Sequence, residues 1–424
     1  MKSRILLVLA LVMGAALLAR DASAQRTVIA TILVGDRPLG VAATPMRAFV
    51  TDEGHDTLSI IDATTNTVLG APLHVGDMPR GVAVNPVNAA VYVANYGEDT
   101  VWAVYIGQAL STWDVIPVGG GPEGVAVMPS TNRIYVTDVA ANRVSVIDGG
   151  TNVVTANIPV GNAPSGIAVN STTNRVYVAN RLGNSVSIID GATNNVVTTV
   201  AVGSEPRGVA VNATTNRVYV SNGMSNSVSV IDGATNGVVA TIGVGQGPTG
   251  VGANPSTDFV YVANTDDGSV SVIDEATNVV LDTVAVGGSP LGVGVNPVAN
   301  RIYVTNNADD TVTVIEDPPE ALPEPPPEPE PEPAPLPGDT EGVPLEGGIC
   351  NPVATTYPDS TPIATIAGGV TPAGMVESLW QFEGGVWTGW SAEFPEASDL
   401  TQMDFLDVVF ICVDADATFT RPVP

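Results

Sequence analysis

The chain has 424 residues, of which 44 are Asp or Glu and only 15 are Lys or Arg, so its formal net charge is −29. This length is too great for one ordinary core and predicts either several domains or a repeat array. The negative charge disfavours nucleic acid and anionic membranes as partners, and two His and two Cys disfavour a metal site built from those ligands.

The N-terminus has the pattern of a secretory signal peptide. Lys2 and Arg4 precede an apolar run from Ile5 to Ala19, and Ala22-Ser23-Ala24 provides a small-residue cleavage site. The run is shorter than the roughly 20 residues that cross a bilayer as a helix, so an uncleaved anchor is the disfavoured alternative. We therefore expect residues 1–24 to be removed. The mature chain, without a transmembrane segment, is expected to be exported to the periplasm, the cell surface or the medium.

A repeat with a period of about 42 residues fills the next part of the chain. Each copy contains four short runs rich in Val, Ile, Thr or Tyr, separated by turns with Asn, Asp and Gly, which predicts four antiparallel strands, A to D. One aromatic position marks the seven copies, at Phe49, Tyr92, Tyr135, Tyr177, Tyr219, Tyr261 and Tyr303. The period and the copy number predict an all-β, seven-bladed β-propeller over residues 25–316.

The number of strands predicts how this ring closes. Runs A, B and C occur seven times, whereas run D follows its own run C only six times, because TVTVIE at 311–316 leads into Pro-rich sequence. The missing D run is RTVIATILVG at 26–35, which resembles NVVTTVAVG at 195–203. We therefore expect the N-terminal strand to complete the last blade and to cover an otherwise exposed sheet edge.

The motifs RVYVAN (175–180), RVYVSN (217–222) and RIYVTN (301–306), each followed by a run such as SVSVID, resemble the YVTN-repeat β-propeller family. The resemblance implies a seven-bladed propeller from a family whose members are often periplasmic, secreted or part of surface layers and mostly lack an assigned catalytic activity. Some relatives bind single-stranded DNA, and more distant seven-bladed propellers are lactonases or lyases. Two copies depart from the pattern, since blade 1 has a short A–B turn at 44–47 and blade 2 reads VWAVYI at 101–106. We expect the C–D turn of blade 2 to be irregular.

The D–A loops, which link successive blades, are expected to share one face of the ring with the B–C loops. Each D–A loop reads V-G-x-x-P-x-G, and variation inside such a constant frame indicates where a ligand preference is encoded. The variable residues before the last Gly are Leu39, Arg80, Glu123, Ser165, Arg207, Thr249 and Leu291. From these we name Arg80, Glu123, Ser165, Arg207 and Thr249 as candidate binding residues. The two arginines are suited to an anion and Glu123 to neutralising them, and a solvated rim without a ligand is the alternative.

The middle residues of the B–C loops add Tyr96, Arg181 and Asp266 to the candidate binding residues. Acidic pairs at 266–267 and 309–310 are of the type that binds Ca²⁺, but no loop has the D-x-D-x-D spacing of a dedicated site, so Ca²⁺ is a secondary hypothesis. His55 and His74 are predicted to lie far apart, which does not fit a catalytic triad. No catalytic residue, metal ligand or cofactor is predicted.

Two further segments follow the repeats. Residues 317–339 are rich in Pro and Glu, which predicts an extended spacer or, alternatively, a ligand for a proline-binding partner. Residues 340–424 predict a small all-β domain with a disulfide between Cys350 and Cys412, two free thiols being the alternative. Its three tryptophans, Trp380, Trp387 and Trp390, are either core residues or a stacking platform for sugars.

These features together predict an exported, non-enzymatic and monomeric binding or scaffold protein whose ligand is a protein or a cell-envelope component. One alternative is a lactonase- or lyase-type propeller enzyme, for which metal-dependent turnover is the discriminating measurement. The other is a propeller that binds single-stranded nucleic acid, for which the salt dependence of DNA binding is decisive.

Overall fold

The computed structural model describes residues 26–106 and 111–317 in full, except the Ser111 side chain, and beyond them only the backbone of strands between residues 342 and 420. Residues 26–317 form seven antiparallel sheets arranged as the blades of a propeller. The predicted seven-bladed fold is therefore confirmed. Blade 1 differs from the others because its outermost strand is split into Thr67–Val68 and Leu73–His74, which both pair with the third strand.

The two inner strands of each blade have closely similar bounds in every copy. Strands A, next to the central axis, are Pro38–Ala43, Pro79–Val84, Pro122–Met128, Pro164–Asn170, Pro206–Asn212, Pro248–Asn254 and Pro290–Asn296. Strands B are Arg47–Asp52, Ala90–Asn95, Arg133–Asp138, Arg175–Asn180, Arg217–Asn222, Phe259–Asn264 and Arg301–Asn306. The proline of the D–A loop begins every strand A, a position at which a missing backbone N–H does little harm.

The two outer strands complete each blade. Strands C are Thr57–Asp62, Thr100–Ile106, Arg143–Asp148, Ser185–Asp190, Ser227–Asp232, Ser269–Asp274 and Thr311–Glu316. Strands D of blades 2 to 6 are Ser111–Pro117, Val153–Pro159, Asn195–Ala201, Gly237–Gly243 and Val279–Ala285. Short 3-10 turns occur at Pro129–Thr131 and Arg181–Gly183.

The hydrophobic core consists of seven layers, each between two neighbouring blades. In one layer, Tyr135 and Val144 of blade 3 pack with Val176 and Ile189 of blade 4. The repeated tyrosines are fully buried, and Phe49 is 4% exposed. Because a neighbour covers each face of the inner strands, no blade buries its apolar side chains alone, and the ring is stable only as a whole.

The N-terminal strand closes the ring. Thr27–Leu33 pairs antiparallel with Thr311–Glu316, so the predicted closure is confirmed. Next to this pair, the Arg26 Nε atom lies 3.4 Å from a carboxylate oxygen of the fully buried Asp317, and the Arg26 guanidinium lies 4.0 Å from the centre of the Phe259 ring. A buried ion pair therefore secures the closing strand.

The chain divides into two compact units, Met1–Pro323 and Glu324–Pro424. Strands of the second unit are Gly342–Leu345, Cys350–Ala354, Thr361–Pro362, Val370–Thr371, Val376–Glu383, Val386–Ser391, Gln402–Met403, Val408–Val413 and Ala417–Thr420. Cys350 lies directly opposite Cys412 in the backbone register. Several predictions concern residues that are not described in full: the disulfide, the roles of the three tryptophans, the signal peptide, the Pro- and Glu-rich spacer and the irregular turn of blade 2.

Candidate functional site

The D–A and B–C loops lie on the same face of the ring, as predicted. Side chains at the ends of B–C loops accept hydrogen bonds from backbone N–H groups of the D–A loops, for example Asp99 from Gly121 at 2.8 Å and Asn184 from Glu205 at 3.0 Å. Asp99 and Asn184 have φ angles of 57° and 47°, a left-handed conformation that Asp and Asn tolerate. These polar loop residues are therefore structural. We call the end of the central axis on this face the mouth.

The last glycine of each D–A loop is required by the neighbouring blade. A Cβ atom at Gly208 would lie 2.3 Å from the carbonyl oxygen of Thr249, and one at Gly81 would lie 2.2 Å from that of Glu123. The same contact recurs at Gly40, Gly124, Gly166, Gly250 and Gly292. A side chain at these positions would push the inner strands apart, so only glycine fits.

Hydroxyl groups hold the same carbonyl oxygens in place. In blades 1, 3 and 7, a threonine of strand B donates to the carbonyl of the next blade: Thr51 to Arg80 at 2.6 Å, Thr137 to Ser165 at 2.8 Å, and Thr305 to Leu39 at 2.8 Å. Ser221 makes the same bond in blade 5. These bonds link the inner strands of successive blades.

In blades 4 and 6, where strand B has an alanine instead, Ser165 and Thr249 provide the hydroxyl. Blade 4 has Ala179 at the hydroxyl position, and there the Ser165 hydroxyl donates to the Arg207 carbonyl at 3.2 Å. In blade 6 the Thr249 hydroxyl donates to the carbonyl of Leu291 at 3.3 Å. Ser165 and Thr249 are 3% and 8% exposed. Their side chains therefore stabilise the ring and do not face the mouth.

Arg80, Glu123 and Tyr96 are brought together at the mouth. The Arg80 Nε atom lies 3.2 Å from Glu53, its Nη1 atom lies 3.4 Å from Glu123, and its guanidinium lies 3.6 Å from the centre of the Tyr96 ring. Ion pairs and the aromatic face together fix this arginine. Glu123 is therefore an ion-pair partner of Arg80, whereas no ion pair joins it to Arg207 among the residues described in full.

Arg207 and Arg181 form the other part of the cluster. Arg207 contacts Glu205 at 3.2 Å with 42% of its side chain exposed, and its Nε atom is buried without a hydrogen-bond partner. Arg181 begins the 3-10 turn Arg181–Gly183, which packs against strands A of blades 4 and 5. Among the residues described in full, no carboxylate lies within ion-pair distance of Arg181. Its charge is therefore available to a ligand.

The charges of Arg80, Arg181 and Arg207 all act on the Glu123 carboxyl. Burial raises the pKa of the Glu123 carboxyl above its usual range, although Arg80, Arg181 and Arg207 each act to lower it. The side chain is 24% exposed. Glu123 therefore takes up a proton more readily than an ordinary glutamate, and its protonation would release Arg80 from one partner.

Acidic residues of two B–C loops bond to the backbone of D–A loops. Asp267 and Asp309 each accept a backbone N–H at 2.6 Å, and Asp266 is exposed beside Gly247. Within residues 26–106 and 112–317, no three His, Cys, Asp or Glu side chains converge where they could hold a metal ion. His55 lies in the B–C loop of blade 1, and His74 in the split outer strand pairs with Thr57 at the end of that loop. The backbone N–H of Val75 also donates to Asp56 at 2.9 Å. The two histidines therefore lie at the same end of blade 1, and the predicted wide separation is wrong.

Sequence reasoning did not name Glu53 and Glu205 as parts of the cluster. Glu205 lies two residues before Arg207 in the same loop, and Glu53 begins the B–C loop that precedes Arg80. Because B–C and D–A loops share a face, a search for charges in adjacent loops would have found both residues.

Comparisons with known proteins agree with this fold. The family model of the YNCE-like beta-propeller matches residues 170–256, and that of the NHL repeat matches residues 120–147. No curated protein matches the chain. A solved structure of Kuenenia stuttgartiensis hydrazine synthase is similar, with 21% identity over 66% of this chain and 96% of that chain and a TM-score of 0.60. At this identity the likeness concerns the fold alone. The chain is thus a seven-bladed β-propeller, and part of its repeat array is similar to propeller repeat families.

Proposed function

We propose that the chain is an exported, non-enzymatic binding protein whose ligand engages the Arg181 and Arg207 side of the mouth. The observation that carries this proposal is that Arg80, Arg181 and Arg207 all act electrostatically on the Glu123 carboxyl at the mouth, in a chain with only 15 basic residues. A guanidinium group with few carboxylate partners is suited to a carboxylate or a phosphate. Arg181 and the exposed part of Arg207 meet that description.

The inner strands of the ring, A and B, which we call its frame, support a binding role. Inner strands held by buried hydroxyls and close glycine contacts keep the mouth residues in fixed positions, which lowers the ordering cost of binding. Arg80 is already neutralised by Glu53 and Glu123. The ligand contacts are therefore assigned to Arg181 and Arg207 of blades 4 and 5. Arg80, Tyr96 and Glu123 line the mouth without being assigned a direct ligand contact.

The chemistry of the ligand is an anionic group of a protein or a cell-envelope component. Two probes represent its sources: a hexaglutamate peptide for carboxylates and inorganic pyrophosphate for phosphates. Titration calorimetry with the full mature chain is expected to show binding of at least one probe. The double variant R181Q/R207Q is expected to weaken that binding about tenfold or more, because charge-assisted hydrogen bonds are lost.

Arg47 supplies the matched control. It is exposed on the opposite face of the ring, so R47Q makes the same change of charge away from the mouth and should leave binding unchanged. Absence of binding of both probes, or equal binding by R181Q/R207Q and the parent chain, would overturn the proposal for the mouth.

Export is tested separately. The pattern at residues 1–24 and the position of the closing strand at Thr27–Leu33 support cleavage after Ala24. N-terminal sequencing of the protein recovered outside the cytoplasm of an expressing cell should begin at Gln25. An uncleaved chain retained in the cytoplasm would contradict export without affecting the mouth.

A further inference from the structure

Blade 2 departs from the repeat at one position of strand C. Six blades have a small hydroxyl residue there, which bonds to the buried Asn or Asp at the end of strand B: Ser59, Ser145, Ser187, Ser229, Ser271 and Thr313. Blade 2 has Trp102 at this position. The change is from the smallest polar side chains to the largest aromatic one.

This substitution removes a hydrogen bond from the frame. In blade 4 the Asn180 amide bonds to two hydroxyls, those of Ser185 at 3.1 Å and Ser187 at 3.0 Å. In blade 2 the Asn95 amide bonds only to Thr100, at 3.2 Å. A residue that departs from the repeat pattern and removes a stabilising hydrogen bond is a candidate for a functional role.

Trp102 forms a stacked pair with Trp113 on the outer wall of blade 2. Their ring centres are 5.4 Å apart and their planes differ by 9°. Trp102 is fixed from one side, because its Nε1 atom donates to Glu98 at 2.9 Å and its ring packs on the core layer between blades 1 and 2. Trp113 is 51% exposed. The pair therefore presents one positioned indole ring to solvent.

The outer edge of blade 1, which faces the tryptophan pair, is incompletely paired. Its outer strand is split: Leu69 still donates its backbone N–H to Ile60 of strand C at 2.7 Å, whereas residues 70–72, including Gly70 with φ of 70°, have no register partner on strand C. Leu69 beside this gap is 39% exposed, and Val115 beside the tryptophans is 50% exposed. An extended segment of a partner can therefore approach the pair along the groove between blades 1 and 2.

The charge around the pair indicates the chemistry of that partner. The Glu98 carboxylate lies on Trp102, and the chain as a whole has 44 acidic residues against 15 basic ones. An indole face attracts cations more strongly than the other aromatic rings do. Within the propeller itself, Arg80 lies over Tyr96 and Arg26 over Phe259. The exposed ring of Trp113 offers the same type of contact to a cation from outside.

We propose that the Trp102–Trp113 pair is a docking site for a basic segment of a partner protein, which places an arginine or lysine over Trp113 and beside Glu98. The site lies on the outer wall and is independent of the mouth. It gives the propeller a second binding surface with a preference opposite to that of Arg181 and Arg207.

The test uses the full mature chain and a nonapeptide of alternating Arg and Ser. The same peptide with citrulline in place of Arg removes the charge and keeps the shape. A neutral chitin hexasaccharide tests the rival ligand class for exposed tryptophans. Titration calorimetry is expected to show binding of the Arg peptide and weaker binding of the citrulline peptide, by about tenfold.

Three variants of the pair and one control variant decide its role. W113S should weaken binding of the Arg peptide by about tenfold, and W113F, which keeps an aromatic face, should lose less. V153S, at a residue 56% exposed on the outer strand of blade 3, is the matched control and should bind like the parent. W102S gives blade 2 the small hydroxyl residue of the other blades, so this variant should fold. It should bind the Arg peptide, but more weakly than the parent chain does.

Three results would overturn the proposal: equal binding of the Arg and citrulline peptides, equal binding by W113S and the parent chain, or binding that depends on Trp113 for the hexasaccharide but not for the Arg peptide.

Discussion

The inner frame of the ring and its mouth lie one residue apart in each D–A loop, yet different constraints act on them. Gly208 cannot carry a Cβ atom, because the Thr249 carbonyl oxygen would be 2.3 Å away. The preceding residue, Arg207, has 42% of its side chain exposed. The short distance between neighbouring blades therefore restricts the residue type in the frame, whereas the residue type at the mouth can differ from copy to copy. Repeats of this type separate residues that hold the ring from residues that can contact a ligand.

The largest effect is expected from adding a side chain to the frame. Gly208→Ala places a methyl group against the Thr249 carbonyl, which can be relieved only by separating strands A of blades 5 and 6. We expect the free energy of unfolding to fall by about 3 kcal/mol or more. Urea unfolding monitored by circular dichroism measures it. Gly243→Ala, where no atom lies within 4 Å, is the control, and similar values for the two variants would contradict the steric explanation.

The next largest effect concerns the closing strand. Asp317→Ala leaves the Arg26 guanidinium, whose side chain is 8% exposed, without its carboxylate partner. The expected loss is about 3 kcal/mol, because a buried charge is left uncompensated. Trypsin should then cleave after Arg26 faster than in the parent chain, which mass spectrometry detects. Asp266→Ala, at an exposed loop position, should leave both stability and cleavage unchanged.

A smaller effect is expected for the hydrogen bond between neighbouring inner strands, which is donated by a hydroxyl of strand B in some blades and of the D–A loop in others. Ser165→Ala removes the hydroxyl that holds the Arg207 carbonyl in blade 4, which should lower the free energy of unfolding by about 1 kcal/mol. Adding Ala179→Ser restores a hydroxyl on strand B, as Ser221 provides in blade 5, and should recover much of the loss. Without recovery in thermal unfolding, the exchange of roles between the two positions would be wrong.

The smallest effect is a pH dependence at the mouth. Because burial raises the pKa of Glu123 in the folded state, folding takes up a proton there. The resulting stabilisation is present below the ordinary glutamate pKa and is lost as pH rises through the folded pKa. Relative to Glu123→Gln, the parent chain should therefore be more stable at low pH than at neutral pH. The raised pKa values of Asp52 and Asp138 act in both proteins and cancel in the difference. A pH-independent difference in urea unfolding would contradict this role.

Much of the fold could be predicted from sequence because its causes are local and repeated. Seven aromatic positions and the displaced D run determine the blade number and the closing strand, and both are confirmed. The split outer strand of blade 1 was not predicted, although Gly70 and Pro72 interrupt the strand pattern of residues 67–74.

The site was predicted less completely because its contacts cross between blades. The sequence brings Arg80, Glu123 and Arg207 to one face, but it does not show that Ser165 compensates for Ala179 or that Arg181 lacks the carboxylate partner that Arg80 has. Such facts depend on side chains of different blades that meet only after the ring is formed. Repeat alignment ranks positions by variability, and variability alone does not distinguish a buried hydroxyl from an exposed guanidinium.

The pairing of Thr27–Leu33 with Thr311–Glu316 has a consequence for biosynthesis. The first strand to be synthesised has its partner at the far end of the array, so a nascent propeller keeps an unsatisfied edge until translation of the repeats is complete. Contacts of such large sequence separation form slowly. We therefore expect ring closure to be a late step of folding, and a chain truncated before Thr311 would leave the N-terminal strand without its partner.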